Sequence, residues 1–267
     1  VASGKGGVGK SSIVVNLAFA LISRQKKVML LDGDLGLANL DVILGLQPHY
    51  NLSHVLNGEL ALKDIIMEGP WGVRVIPAGS GIKRMAELKP EENAGIIQAF
   101  SELEEDLDVL LIDSAAGISD SVVAFSRAAQ DVIVVICDEP ASLTDAYALI
   151  KLLSQDYGVE RFHVISNRVA NNNKGRELFG RLMQVTDRFL DVGLDYLGCV
   201  PEDSQLRKAV QAQRAVVEVF PGSRSAVAFQ QLVERIQHWP VSCAPTGHLQ
   251  FFIERLINPA YSQEAVE

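Results

Sequence analysis

Gly4-Lys5-Gly6-Gly7-Val8-Gly9-Lys10-Ser11 is the stretch on which the reading of this chain turns. It satisfies G-x-x-x-x-G-K-[S/T], the pattern of a loop that wraps phosphate oxygens. Its glycines let successive backbone N–H groups turn inward around an anion. A helix predicted over residues 9–25 adds the partial positive charge of its N-terminus. Lys10 is then placed to reach the terminal phosphates of a nucleotide, and Ser11 to ligate Mg²⁺. Gly6, Gly7, Val8, Gly9 and Ser12 complete the cradle. The bland reading is a flexible glycine-rich turn. A rival reading takes Gly4-x-Gly6-x-x-Gly9 as a dinucleotide fingerprint, with Asp32 on a ribose. The Lys-Ser pair after the last glycine has no role in that fingerprint. A second carboxylate, Asp34, follows Asp32 closely, whereas a ribose needs one acid.

Outward from the loop, short apolar runs alternate with helical stretches. Strands are expected at 27–32, 73–77, 108–113, 131–137, 161–166 and 195–200. Helices are expected near 91–105, 119–129, 142–156, 175–189, 203–211 and 222–237. Consecutive apolar positions within a strand point to burial on both faces, as in a parallel sheet. The expected fold is therefore α/β, a mostly parallel, doubly wound sheet flanked by helices. One domain is expected over 1–238. Residues 239–267 are expected to form a turn-rich spacer and a C-terminal amphipathic helix.

Two sets of carboxylates stand downstream of the loop. Asp113 closes the apolar run Val109-Leu-Leu-Ile-Asp113, before Ser-Ala-Ala-Gly117. A strand-end acid in that position suits the neighbourhood of Mg²⁺, though such residues also cap turns and helices. Asp32 and Asp34 flank the end of the second strand. Phosphoryl transfer to water needs a group that orients the attacking water, and one of this pair is the candidate. The alternative is that both cap the following turn. Lys5, inside the loop, either neutralises charge developing on phosphates or is simply solvated.

Composition narrows the class. The 267 residues are 48% hydrophobic and 21% charged, an ordinary globular balance. No apolar run approaches the ~20 residues of a spanning helix. Net charge is −9, which disfavours a nucleic-acid binder acting by bulk charge. Cys137, Cys199 and Cys243 lie far apart, suit a reducing compartment and offer no metal spacing. The loop begins within a few residues of Val1, so further residues are expected upstream.

With Lys5-Gly-Gly-Val-Gly-Lys10-Ser11, Asp32-Gly-Asp34-Leu-Gly-Leu-Ala-Asn39 and Asp113-Ser-Ala-Ala-Gly117, the chain resembles the MinD/ParA group of deviant-Walker ATPases. Three further stretches, Cys137–Lys151, Val185–Asp191 and Gly247–Leu256, resemble the FleN/FlhG family of flagellar-number regulators within it. The resemblance spans essentially the whole chain. It implies ATP/ADP and Mg²⁺ as ligands, and an ATP-driven homodimer in which Lys5 reaches the partner subunit's ATP. It implies that Asp34 activates water, that Asp32 and Asp113 support the Mg²⁺ held by Ser11, and that Gly117 senses the γ-phosphate. It implies that Asn167, with Arg168 beside it, reads adenine, and that Pro201, Glu202 and Asp203 form the loop over the base. The departure is Ser114-Ala115 where the wider group has Thr-Pro. Implied partners are a FleQ-type transcription activator, an FlhF-type GTPase and flagellar C-ring proteins. The implied location is the cytoplasm, with peripheral contact at the inner, polar face of the cell membrane. Septum-site placement of the MinD type and DNA partitioning of the ParA type are the alternatives. The −9 balance and the lack of a C-terminal basic cluster count against partitioning.

Leu249, Phe252, Ile253, Leu256 and Ile257 fall on one helical face. A reversible membrane-surface helix is one reading, and docking on the chain's own domain or on a partner is the other. Arg255 and His248 supply little positive charge for anionic lipid. His49, His54, His163 and His238 are read as satisfied structural residues. Trp71 and Trp239 are read as packing anchors, and Asn171-Asn-Asn-Lys-Gly175 as a loop.

Overall fold

The computed structural model describes residues 1–79, 85, 87–103, 106–239 and 249–252. β1 (Val28–Gly33) is flanked by β3 (Arg74–Ile76) and β4 (Val109–Ser114), both parallel to it. A short antiparallel strand, β2 (Met67–Glu68), pairs with β3 at that edge. β5 (Ile133–Cys137), β6 (Arg161–Val169) and β7 (Gly193–Pro201) form a second parallel ladder. Residues 1–3 join the two: Ala2 bridges Val134 and Ser3 bridges Ala116, both in parallel sense. The glycine-rich loop therefore leaves the middle of a single sheet, at the carboxyl ends of its strands. Ligands of open α/β sheets bind there.

The consecutive apolar residues of the strands divide between two helical layers. Val28 and Leu30 pack with α1 (Lys10–Ile22) and α10 (Arg224–Ile236), along with Ile133 and Val135. Met29 and Leu31 pack instead with α4 (Pro90–Ala99) and α5 (Asp120–Ala128). Val134 and Ile136 pack with α6 (Pro140–Gln155) and α7 (Asn172–Phe189). All six residues of β1 are buried, which is why that strand shows no polar alternation. α1 is buried around most of its circumference, as expected of a helix enclosed on several sides.

Differences from the sequence reading are local. α2 (Leu40–Leu44), α3 (Leu52–Leu56) and β2 were not expected; they are too short to show a period. Asn171–Gly175 is not a loop. Asn171 accepts a hydrogen bond from Lys174 N at 3.0 Å and so caps α7, which starts at Asn172. Gly175 is already helical, and a Cβ there would lie 2.5 Å from Tyr196 Oη. α8 (Ser204–Gln211) and α9 (Val216–Val219) complete the helices between β7 and α10.

Trp239 stacks on the buried His163 ring at 3.8 Å, and His163 Nε2 lies 3.1 Å from Asp131 Oδ1. Trp71 keeps 47% of its surface exposed while leaning on Phe19 at 5.4 Å. Cys137 is buried and Cys199 partly exposed; Cys243 lies outside the described residues. Of the expected C-terminal helix, residues 249–252 are described and are not helical, and Phe252 has φ 57°. Phe251 is buried edge-on against Phe100 at 4.9 Å, and its N–H donates to Ala128 O at 3.2 Å. Ile253, Leu256 and Ile257 lie outside the described residues.

Candidate functional site

The loop is shaped by two residues in the left-handed region, Gly7 (φ 77°) and Gly9 (φ 88°), and Gly9 also begins α1. A Cβ on Gly9 would lie 2.5 Å from Asn167 Nδ2. A Cβ on Gly4 would lie 2.1 Å from the backbone carbonyl of Asp145 in α6. These glycines therefore serve close approach as well as turning.

Lys10 is buried, and its Nζ donates to Asp113 Oδ1 at 2.9 Å. Asp113 is the register partner of Asp32 across the β1–β4 ladder, so two buried acids end adjacent strands beneath the loop. Asp32 accepts backbone N–H groups from Asp34 (3.2 Å), Asn39 (2.9 Å) and Leu40 (2.9 Å). Burial pushes its carboxyl up to about 7; the Leu40 N–H opposes that shift, and the nearby Asp113 charge adds to it. Asp34 is half-buried, and its carboxyl too is raised, chiefly by burial. Its Oδ1 accepts from Leu37 N at 3.2 Å. The capping alternative for this pair thus holds in part, since both anchor the turn after β1.

Gly117 has φ 93° and donates its N–H to Ser3 O at 2.9 Å. The turn after β4 is thereby tied to the chain entering the phosphate loop. Asn167, at the end of β6, is buried and donates Nδ2 to Val8 O at 2.7 Å. Arg168 follows with φ 54°, and its guanidinium lies near Gly9. Asp203 uses its carboxylate within the protein: Oδ1 takes Gln205 N at 2.8 Å, and Oδ2 takes Ser225 N at 3.0 Å. Those hydrogen bonds hold its carboxyl low although partial burial pushes it up. Asp203 thus holds the loop of Pro201 and Glu202 against the start of α10.

Two buried polar atoms of this site, Ser12 Oγ and Asn167 Oδ1, have no hydrogen-bond partner among the described residues. Buried polar atoms are normally satisfied. A hydroxyl at the start of α1 fits a phosphate oxygen, and an amide oxygen at the end of β6 fits the amino group of an adenine. Ser11, next to Ser12 in the chain, and the register pair Asp32 and Asp113 carry hard oxygen donors, the donor chemistry of Mg²⁺.

Sequence reading missed the partner of Lys5. Its ammonium pairs with the carboxylate of Glu139, which immediately precedes α6. That bond raises the Lys5 ammonium above its ordinary value and lowers the Glu139 carboxyl. The available signal was positional: Glu139 stands between the end of β5 and a helix-starting Pro140, much as Asp113 stands at the end of β4.

The profile of the ParA family, described as NUBPL iron-transfer P-loop NTPase, matches residues 1–237. The chain belongs to the ParA family of P-loop NTPases. The antiactivator FleN of Pseudomonas aeruginosa is 53% identical to this ParA-family chain over 266 residues, covering 100% of the chain and 95% of that protein. The flagellum site-determining protein YlxH of Helicobacter pylori is 36% identical over 254 residues, covering 94% and 83%. Among solved structures, septum site-determining protein MinD of Pyrococcus horikoshii, complexed with Mg-ADP, superposes with a TM-score of 0.74. It is 27% identical, and the match covers 89% of this chain and 94% of that one. These likenesses make the chain a MinD/ParA-type ATPase with the expected mostly parallel, helix-flanked sheet.

Proposed function

We propose that this ParA-family ATPase is an ATP-dependent dimerising switch that restrains flagellar number. It would act as an antiactivator on a FleQ-type transcription activator and would also regulate an FlhF-type GTPase. The likeness that carries this reading is the 53% identity to antiactivator FleN across the full chain. The relation to YlxH, a flagellum site-determining protein, points the same way.

In this reading the cradle of Gly6 to Ser12 binds the phosphates, with Lys10 as the buried cation. Asn167 Oδ1, Arg168 and the loop of Pro201 and Glu202 receive the adenine. Mg²⁺ held by Ser11, with Asp32 and Asp113 behind it, would neutralise charge on the phosphate oxygens. Asp34 orients the attacking water from its half-buried place at the end of β1. Gly117 links the phosphate end to the chain before the loop through its bond to Ser3. Lys5 exchanges Glu139 for the partner subunit's nucleotide, so dimer formation competes with an internal ion pair. Hydrolysis then returns Lys5 to Glu139. Membrane contact through Leu249–Ile257 at the cell pole would require Phe251 to leave its seat beside Phe100.

The biological half is tested by deletion and complementation. Loss of the gene should raise the number of flagella per cell, and an Asp34→Ala copy should restrain it more strongly than the natural chain. Unchanged flagellar number with misplaced septa would instead favour a MinD-type role.

A further inference from the structure

β7 is the last strand of its ladder, and its outer edge has no strand partner among the described residues. A groove of about 410 Å³ lies along that edge, between residues 197–201 and the outward face of α10. Among the described residues its lining contains Arg224 and Arg235 and no carboxylate, in a chain whose net charge is −9; Asp203 already interacts with Arg224 from beside the groove. Arg224, Val227, Gln231 and Arg235 recur at helical spacing, so one stripe of α10 walls the groove. Val227 in the middle of that stripe is 47% exposed.

The floor of the groove is the β7 backbone at Leu197 and Gly198, which the side chains of Arg235 and Leu232 cover. A register shift between β6 and β7 occurs at this point, where Val164 pairs with Tyr196 but Ile165 pairs with Gly198. Gly198 has φ 149°, and a Cβ there would lie 2.8 Å from Leu232 Cδ2. The Leu197 carbonyl accepts from Arg235 Nη1 at 2.6 Å, and the Ala170 carbonyl accepts from Arg224 Nη2 at 2.8 Å. Each guanidinium carries five N–H donors, so each retains donors for an incoming carboxylate.

We propose that the open edge of β7 and the Arg224–Arg235 face of α10 form a docking groove for an extended acidic peptide of a partner protein. The backbone of such a peptide would continue the sheet, the usual mode of strand addition. The two arginines are separated by about 16 Å along the helix. An extended chain advances ~3.3 Å per residue and its side chains alternate between two faces, so carboxylates about four or six residues apart, on one face, would meet both guanidiniums. Small apolar side chains between them would face the exposed Val227. Of the residues assigned to the nucleotide only Pro201 also lines this groove, so the peptide site can be tested apart from the ATPase switch.

The same bulge and arginines could serve only to guard the edge against indiscriminate pairing, and the experiment separates the two roles. A random heptapeptide phage library is selected on the immobilised full chain, and enriched sequences are remade as labelled peptides for fluorescence anisotropy. The expected enrichment is for peptides with two acidic residues about four or six positions apart around an apolar centre. Arg224→Glu combined with Arg235→Glu should weaken their binding by about tenfold or more, as for truncated charge pairs at interfaces. Val227→Glu, at an exposed position, should weaken it as well, while nucleotide binding of both variants shows that they fold. Amide exchange at residues 197–200 should slow when peptide is bound. Selection that yields no acidic bias, or acidic peptides whose binding survives both variants, would overturn the proposal and leave the groove as edge protection.

Discussion

Lys5 and Glu139 are joined across the mouth of the phosphate loop, the lysine from the loop itself and the glutamate from the entry to α6. Both side chains are substantially exposed. The bond therefore holds Lys5 in place without locking it. Replacing Glu139 by Gln should release Lys5 for a second subunit. ATP-dependent self-association should rise, by no more than about fivefold, because exposed ion pairs are weak. Lys5→Ala should reduce self-association while leaving ATP affinity nearly unchanged. Sedimentation of the two variants with ATP checks this, and unaltered association in both would leave Lys5 a solvated loop residue.

Lys10 and Asp113 form a different kind of pair, since both are buried. Lys10→Ala should abolish nucleotide binding and leave Asp113 ionised without its cation. Breaking a buried pair in this way costs about 3 kcal/mol or more. Nucleotide titration and urea unfolding of the variant measure the two losses.

Asp32 supplies a pH signature of the ligand-free protein. Its carboxyl is raised from 3.8 to about 7 by burial. A raised folded-state value means that the folded chain binds a proton more tightly than the unfolded one. Its stabilising contribution is fully present below about pH 4 and is lost as pH rises through about 7. The ¹³C carboxyl resonance of Asp32 should titrate near neutrality, and unfolding free energy should decline across that window from this group. A midpoint near 4 would show that the backbone N–H groups outweigh burial.

Asn167 presents a buried oxygen at the end of β6 that has no partner among the described residues. Asn167→Ala should lower ATP affinity and flatten the preference for ATP over GTP. Losing one base hydrogen bond at a buried site is worth about tenfold or more. Competition binding of the two nucleotides checks the ratio. An unchanged ratio would remove Asn167 from base recognition.

The fold was legible wherever a strand is covered on both faces, because burial forces consecutive apolar residues, as in Val28 to Leu31. The loop, Lys10, Asp32 and Asp113 were legible because phosphate chemistry fixes both their types and their spacing. α2 and α3 were hidden because five residues make little more than one helical turn. The start of α7 was misread because asparagine suits loops and helix caps alike, and Asn171 is a cap. Glu139 was hidden because its partner lies 134 residues away. The same holds for Gly4, whose tolerance for no side chain is decided by Asp145 in α6.

An Asp34→Ala chain should bind ATP with affinity close to that of the natural chain. It should accumulate as dimer, because water is no longer oriented for attack and the reset is slowed. Turnover should fall by at least about a hundredfold, the scale of a lost general-base contribution. Phosphate release and gel filtration of the variant with ATP measure this, and a variant monomeric with ATP would reassign the water-orienting role.

The central claim is that triphosphate, and not diphosphate, assembles two subunits. Light-scattering mass measurement of the natural chain with ADP, ATP and a nonhydrolysable ATP analogue tests it most directly. The expected result is a monomer with ADP, a dimer with the analogue, and with ATP a dimer that decays as phosphate appears. One mass throughout, whether monomer or dimer, would contradict the switch.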